Sequence, residues 1–173
     1  MDLFEAIESR RSIRRFDPAA DVPPEMVERL LSAAILAENA GNRQPWHFYV
    51  VRDPEMRQGL VAAAHGQGFI SQAPVAIVVC ADAEQSAGRY GQRGRELYCL
   101  QDTAAAVDHI LLAAVALGLG SCWVGAFDEG EAARVLDLPD HHRPVAILPI
   151  GKPAEAPAPR PRQPLKEVAT YLR

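Results

Sequence analysis

Apolar residues recur along this chain first at helical and then at strand spacing, and each change of period marks an element. Leu3, Phe4 and Ile7 fall on one helical face behind Asp2, whose carboxylate can cap free amides, so a first helix is expected over residues 2–9. Pro23-Pro24 opens a second helix, whose stripe of Met26, Leu30, Leu31, Ala34 and Ile35 runs to about Ala37. Asn39 to Pro45, with Gly41, reads as a loop. Trp46 to Arg52 is aromatic and β-branched, hence a strand, in which the Trp46/Phe48 pair or the His47/Tyr49 pair faces the core. Asp53-Pro54 then caps a helix to about Ala64.

Val75 to Ala81 is a second strand, and its unbroken apolar character predicts burial on both faces. Gln85 to Arg95 reads as a mobile, polar loop. Glu96 to Leu117 is the longest helical stretch, apolar almost all round and closed by Gly118 and Gly120. Such a helix needs neighbours on every side. In a chain of 173 residues a partner subunit supplies them more readily than the chain itself, so a homodimer with this helix at its interface is expected over a monomer with a central core helix. The apolar stretch from Ala104 to Leu119 is broken by Asp108 and His109 and falls short of the roughly 20 residues of a membrane span. Ser121 to Ala126 reads as a third strand, Asp128 to Leu136 as a short helix and Pro144 to Ile150 as a fourth strand, an alternating order of helices and strands. The proline-rich stretch 153–164 is expected to run extended over the surface of a single domain spanning 1–173.

Composition narrows the function classes. With 49% hydrophobic and 23% charged residues the chain can bury a core, and its net charge of -4 gives no overall attraction to nucleic acid or to an anionic membrane. Neither is expected as a partner. Cys80, Cys99 and Cys122 show no CxxC pair or disulfide pattern and read as free thiols, while Asp2, Glu5 and Glu8 stand where a signal peptide would be apolar, so a cytoplasmic location is expected. His47, His65, His109, His141 and His142 show no metal spacing, because adjacent strand residues such as His141 and His142 point to opposite faces; no metal is expected.

Against that acidic background, Arg10, Arg11, Arg14 and Arg15 stand within six residues, interleaved with Ser12 and ending at Phe16. Guanidinium forks and a serine hydroxyl suit a phosphate, although a solvated basic turn or a nucleic-acid arm has the same composition. The segment Gly41 to Phe48 (GNRQPWHF) adds amide side chains able to read a polar heterocycle. Gly118 to Asp128 (GLGSCWVGAFD) carries small residues that let another molecule approach the backbone, or simply pack tightly, and it lacks GxGxxG and the Walker lysine.

These three segments, in this order and spacing, resemble the FMN-dependent nitroreductase family, as do Ile150 to Pro153, Arg160 to Leu165 and the Leu97 to Asp102 opening of the long helix. The resemblance implies an α+β fold: a central, mostly antiparallel sheet of about four or five strands, flanked by helices, with the long helix at a dimer interface. It places Arg10, Arg11, Ser12 and Arg14 at the phosphate, ribityl chain and pyrimidine side of FMN, with Arg160 and Arg162 closing over the phosphate. The loop from Glu38 to Asn42, with Asn39 and Asn42 as its ligands, would come from the other subunit, Gln44 would also bind the cofactor, and the backbone at Trp123, Val124, Gly125 and Ala126 would face the ring. One departure is Glu38-Asn39, where many relatives have Pro-Ser. The implied reaction is ping-pong hydride transfer from NADH or NADPH through flavin to a small-molecule acceptor, a nitroaromatic or quinone, with no side chain as obligatory acid or base. Rival readings are another reaction on the same fold, such as dehydrogenation, dehalogenation or flavin cleavage, and a redox-inactive flavin-binding module.

Overall fold

The computed structural model describes residues 1–172. Its helices are α1 (Leu3–Ser9), α2 (Pro24–Ala34), α3 (Pro54–Ala63), α4 (Phe69–Gln72), α5 (Ala83–Arg93), α6 (Cys99–Ala116), α7 (Glu129–Leu136) and α8 (Leu165–Val168). The strands β1 (Trp46–Val51), β2 (Val75–Asp82), β3 (Gly120–Ser121) and β4 (His142–Gly151) form one sheet in the order β1-β2-β4-β3, antiparallel at each pairing. The α+β expectation with a four-stranded antiparallel sheet is met. Both sheet faces are covered. On one, Val75, Ile77, Val79, Ala146, Leu148 and Ile150 pack against α2 and α6; on the other, Ala76, Val78, Cys80 and Ile147 pack against α3, α4 and α7. The alternation of β2 thus feeds two cores, which is why its sequence carries no polar face.

Two elements differ from the sequence reading. Gln85 to Arg95 is not a loop: α5 occupies most of it, started by the Asp82 side chain accepting from the Gln85 amide at 3.0 Å, and it bends at Gly91 (φ 55°) into a π-helical turn, Gly94–Tyr98. Helix formers with few apolar residues gave α5 no stripe to detect. Joined to α6, the helical run covers 34 residues, long and apolar enough to cross a membrane by length and composition, where the apolar stretch alone fell short. Its α6 part instead seats Ala106, Val107, Ile110, Leu111 and Ala114 in the core, while Asp108 and Ala116 on its other side stay exposed. One chain covers only half of this all-round apolar helix.

The third strand also stops short. Only Gly120 and Ser121 join the ladder, although Val124 and Ile147 exchange both backbone hydrogen bonds at 3.0 Å in the same register. Between them that register sets Cys122 opposite Pro149, which has no N–H to give where an antiparallel ladder requires one. The chain therefore lifts away at Cys122-Trp123, and the indole of Trp123 is 40% exposed.

Candidate functional site

The arginine segment is held in place from both sides. Asp2 and Glu5 form a reciprocal capping box at 2.9 and 2.8 Å that starts α1, and Arg10 (φ -57°, ψ 128°) turns the chain from helix to extended backbone. Ile13 and Phe16 then point inward, 7% and 5% exposed. The Ile13 amide donates to the Ser121 carbonyl at 2.9 Å, and Ser12 bridges Ser121 in parallel. On the other side Asp17 donates to the Lys152 carbonyl and Ala154 to the Arg15 carbonyl, each at 2.9 Å. Glycine is required at two contacts: a Cβ on Gly120 would lie 2.9 Å from Ile13, and one on Gly151 2.9 Å from Phe16.

Between α1, this segment and the C-terminal stretch lies an open cleft of about 870 Å³. Arg10, Arg11, Ser12 and Arg14 line it together with Arg160 and Arg162, so residues about 150 positions apart share one wall. Arg15 is not part of that lining. The guanidinium of Arg11 donates to the Glu8 carbonyl at 2.6 Å and the Arg10 carbonyl at 2.8 Å, which ties it to the end of α1, where a cation is favoured. Arg14 is exposed, 5.8 Å from the centre of the Phe69 ring. Arg160 and Arg162 are exposed too, with Arg162 donating to the carbonyls of Arg160 and Pro161. Five arginines face two glutamates here, Glu8 and Glu155, a balance suited to a phosphate. Sequence reasoning missed Glu155, whose carboxylate accepts from the backbone amides of Arg14 and Arg15 and so pins the proline-rich stretch to the arginine segment.

The glycine-lined segment is joined to the arginine segment by the bridge between Ser121 and Ser12, but Trp123, Val124, Gly125 and Ala126 are not part of the cleft lining. Val124 is buried against Ile147, while Trp123, Gly125 and Ala126 are exposed, and the Ala126 carbonyl accepts from Gln67 at 3.1 Å. Cys122 is buried; burial raises its thiol above the usual value, partly offset by the charge of Arg14 and a hydrogen bond from Ser12. Its part is packing rather than chemistry.

The amide loop lies elsewhere. Asn39, Asn42 and Gln44 precede β1, whose first residue Trp46 pairs with Ala81 at the far end of β2 from Val75 and Ile150. That is about 20 Å along the sheet at 3.3 Å per residue. Asn42 and Gln44 hold φ of 54° and 51°, costly for side chains with a Cβ, and Gly41 holds 57°. The Asn39 carboxamide accepts from the Gln44 amide at 2.9 Å and donates to the Ala37 carbonyl at 3.2 Å, while Arg43 and Gln85 exchange side-chain bonds to each other's carbonyls at 2.8 and 2.7 Å. Asp102, which the sequence reading used only as the end of the motif opening the long helix, accepts from the Ala40 amide at 3.1 Å from inside the core. Burial first, then the charge of Glu38, raises its carboxyl above the usual range, against the Ala40 bond, and its Oδ2 is buried with no partner among the described residues. Glu38 itself is exposed. The loop is thus a rigid platform that presents Asn42 and Gln44 to solvent, while Asn39 is spent on holding it.

Residues 7–70 and 61–152 match the model of the nitroreductase family. A Methanothermobacter thermautotrophicus protein provisionally named NADH dehydrogenase/NAD(P)H nitroreductase is 39% identical over 166 residues, covering 92% of this chain and 82% of its own. An NADH dehydrogenase of Thermus thermophilus is 32% identical over 99% of this chain and 96% of its own. The backbone superimposes with a TM-score of 0.91 on a provisionally assigned nitroreductase of Exiguobacterium sibiricum solved in complex with FMN, 23% identical, covering 99% of this chain and 98% of that one. With the family model matched across most of its length, and with these relatives, the chain belongs to the nitroreductase family.

Proposed function

We propose that this protein is an FMN-dependent oxidoreductase that accepts hydride from NADH or NADPH and passes it to a small organic acceptor such as a nitroaromatic or a quinone, in ping-pong order. The observation that carries the reading is the single cleft in which Arg10, Arg11, Ser12 and Arg14 meet Arg160 and Arg162 from the other end of the chain. The donor set fits a phosphate ester, the FMN complex of the Exiguobacterium protein supports flavin as its bearer, and the names of the relatives support NADH or NADPH as the hydride source.

Bound FMN supplies the hydride acceptance and donation that no side chain here can. The chain's own residues hold and tune it. Arg10, Arg11 and Ser12 would hold the phosphate and ribityl side, Arg160 and Arg162 would close over the phosphate, and the backbone from Trp123 to Ala126 would face the ring. Arg14 would lie on the pyrimidine side, where its cation would offset negative charge. Asn42 and Gln44 lie a sheet-length from the cleft of their own chain, so in this reading they complete the site of a second copy. Leu3, Phe4 and Ile7 of α1, Ile35 and Leu36 after α2, and Leu165 and Val168 of α8 are 49% to 78% exposed, an apolar surface suited to that homodimer. The reading places the dimer in the cytoplasm.

The test is the absorbance spectrum of the purified full-length protein, followed by anaerobic titration with NADH and NADPH. A yellow protein whose flavin band bleaches with either is expected. Colourless protein that takes up no added FMN would overturn the proposal, and sedimentation of the FMN-loaded protein as a monomer would overturn the shared site.

A further inference from the structure

At the end of the sheet away from the arginine cleft, Asp82, His141 and His142 bring one candidate ligand atom each to within 4.8 Å of one another. The alternation that separates neighbouring strand side chains does not apply, because His141 lies in the turn and only His142 belongs to β4, directly opposite Asp82 in the register with β2. We infer that these three residues bind one divalent cation of the zinc class, a site separate from the arginine cleft of its own chain.

The donor chemistry selects the ion. Two imidazoles and a carboxylate match the three-ligand sets of zinc sites that keep a fourth position open, and imidazole also suits copper and nickel, whereas magnesium and calcium require oxygen shells. Ligand atoms about 2.0–2.1 Å from a tetrahedral ion stand roughly 3.3 Å apart, so rotation of the exposed His141 and a small shift of His142 close the set. Asp82 spends Oδ1 on capping α5 and has Oδ2 to give. The surroundings already orient His142: its Nδ1 lies 2.6 Å from the Tyr49 hydroxyl, leaving Nε2 for the ion, and His47 stacks on its ring at 4.4 Å and 27°. With metal on Nε2, Nδ1–H donates to the Tyr49 oxygen, the outer-shell partner that ligating histidines usually have. Arg143, next along the chain, is neutralised by two hydrogen bonds at 2.8 Å to Glu129.

The ion would tie the end of β2 to the turn entering β4, about 30 Å along β4 from Gly151 at the arginine end. The test uses tag-free, full-length protein stripped with chelator and titrated with zinc chloride against a competing indicator, with cobalt(II) as a second probe whose tetrahedral bands lie to the red of flavin. One zinc per chain, a melting temperature that rises with zinc, and affinity lowered at least about tenfold in His141→Ala and Asp82→Asn are expected. Both variants spare the core, since His141 is exposed and asparagine can still cap α5. His65→Asn, on an exposed turn outside the cluster, should bind as the parent does. No zinc uptake at micromolar concentrations, or equal uptake by the parent, His141→Ala and Asp82→Asn, would overturn the site.

Discussion

Gly120→Ala is the sharpest probe of how the fold positions the arginines. The new methyl group would sit 2.9 Å from Cγ1 of Ile13 and 3.0 Å from its Cβ and Cγ2, where carbon contacts ordinarily lie at about 3.5–4.0 Å. Ile13 cannot swing away, being 7% exposed and tethered through its amide to the Ser121 carbonyl at 2.9 Å. The segment must therefore move back by about 0.5–1 Å. Overpacking of this kind costs about 1–3 kcal/mol, which at roughly 3 °C per kcal/mol for a domain of this size lowers Tm by about 3–9 °C. Ile13 lies between Ser12 and Arg14, so the shift also moves phosphate donors, and loss of one charge-assisted bond weakens FMN binding about tenfold. Thermal melts of the FMN-free protein and FMN titration by fluorescence quenching read the two effects separately. Gly88→Ala is the control: its Cβ would meet only Arg43 Nη2, at 3.5 Å, and alanine inside α5 should be neutral or stabilise by about 0.5–1 kcal/mol. If Gly120→Ala melts with the parent and holds FMN equally well, the tight seat of Ile13 is not what fixes the cleft.

Three further outcomes follow from the geometry. Arg10→Ala should weaken FMN binding about tenfold to a hundredfold, and Arg15→Ala, outside the cleft lining, by much less; equal losses in a titration would mean that the cluster acts only as diffuse charge. Asp102 holds its proton more tightly folded than unfolded, so its contribution to stability is full below the unfolded value of 3.8 and is lost as pH rises through the raised folded value. Asp102→Asn keeps an acceptor for Ala40, and its denaturation midpoint should gain on the parent from pH 4 to pH 8, whereas a gap independent of pH would show that the carboxyl does not titrate differently on folding. Cys80 is pushed up to about 12 by burial, and all three thiols are buried, so native protein at pH 8 should resist alkylation that goes to completion in denaturant; rapid native labelling counted by mass would contradict this burial.

Much of this architecture is legible in local pattern. The cap at Asp2, the Pro24 and Pro54 helix starts and the doubly buried β2 all rest on residues close in sequence. What escaped depends on partners far along the chain. The third strand has the composition of a strand through Ala126, but its ladder fails at Cys122 because Pro149, twenty-seven residues on, cannot donate. Likewise α5 is held by Asp82 and by the Arg43–Gln85 clamp rather than by an apolar stripe. His141 and His142 look divergent under strand alternation and converge because the strand begins between them.

The candidate site divides along the same line. Its arginine wall is written as a cluster, and its five arginines and Ser12 meet because Gly120 and Gly151 let the segment lie flat against the sheet end while Glu155 returns the tail to it. The amide platform belongs to the same set of motifs yet stands at the opposite end of β2, kept rigid by Asn39, Asp102 and Gln85 at the cost of positive φ at Asn42 and Gln44. Strain held at exposed residues gains nothing for the isolated chain. Under the proposed shared site it becomes useful where Asn42 and Gln44 meet a ligand, and the length of β2 then requires a second copy to bring that ligand's arginine wall to them. The half-covered helix α6 and the apolar faces of α1 and α8 are what such a copy would bury. Binding of flavin and association of chains should therefore be coupled: dilution that separates the copies should release FMN, and excess FMN should hold them together.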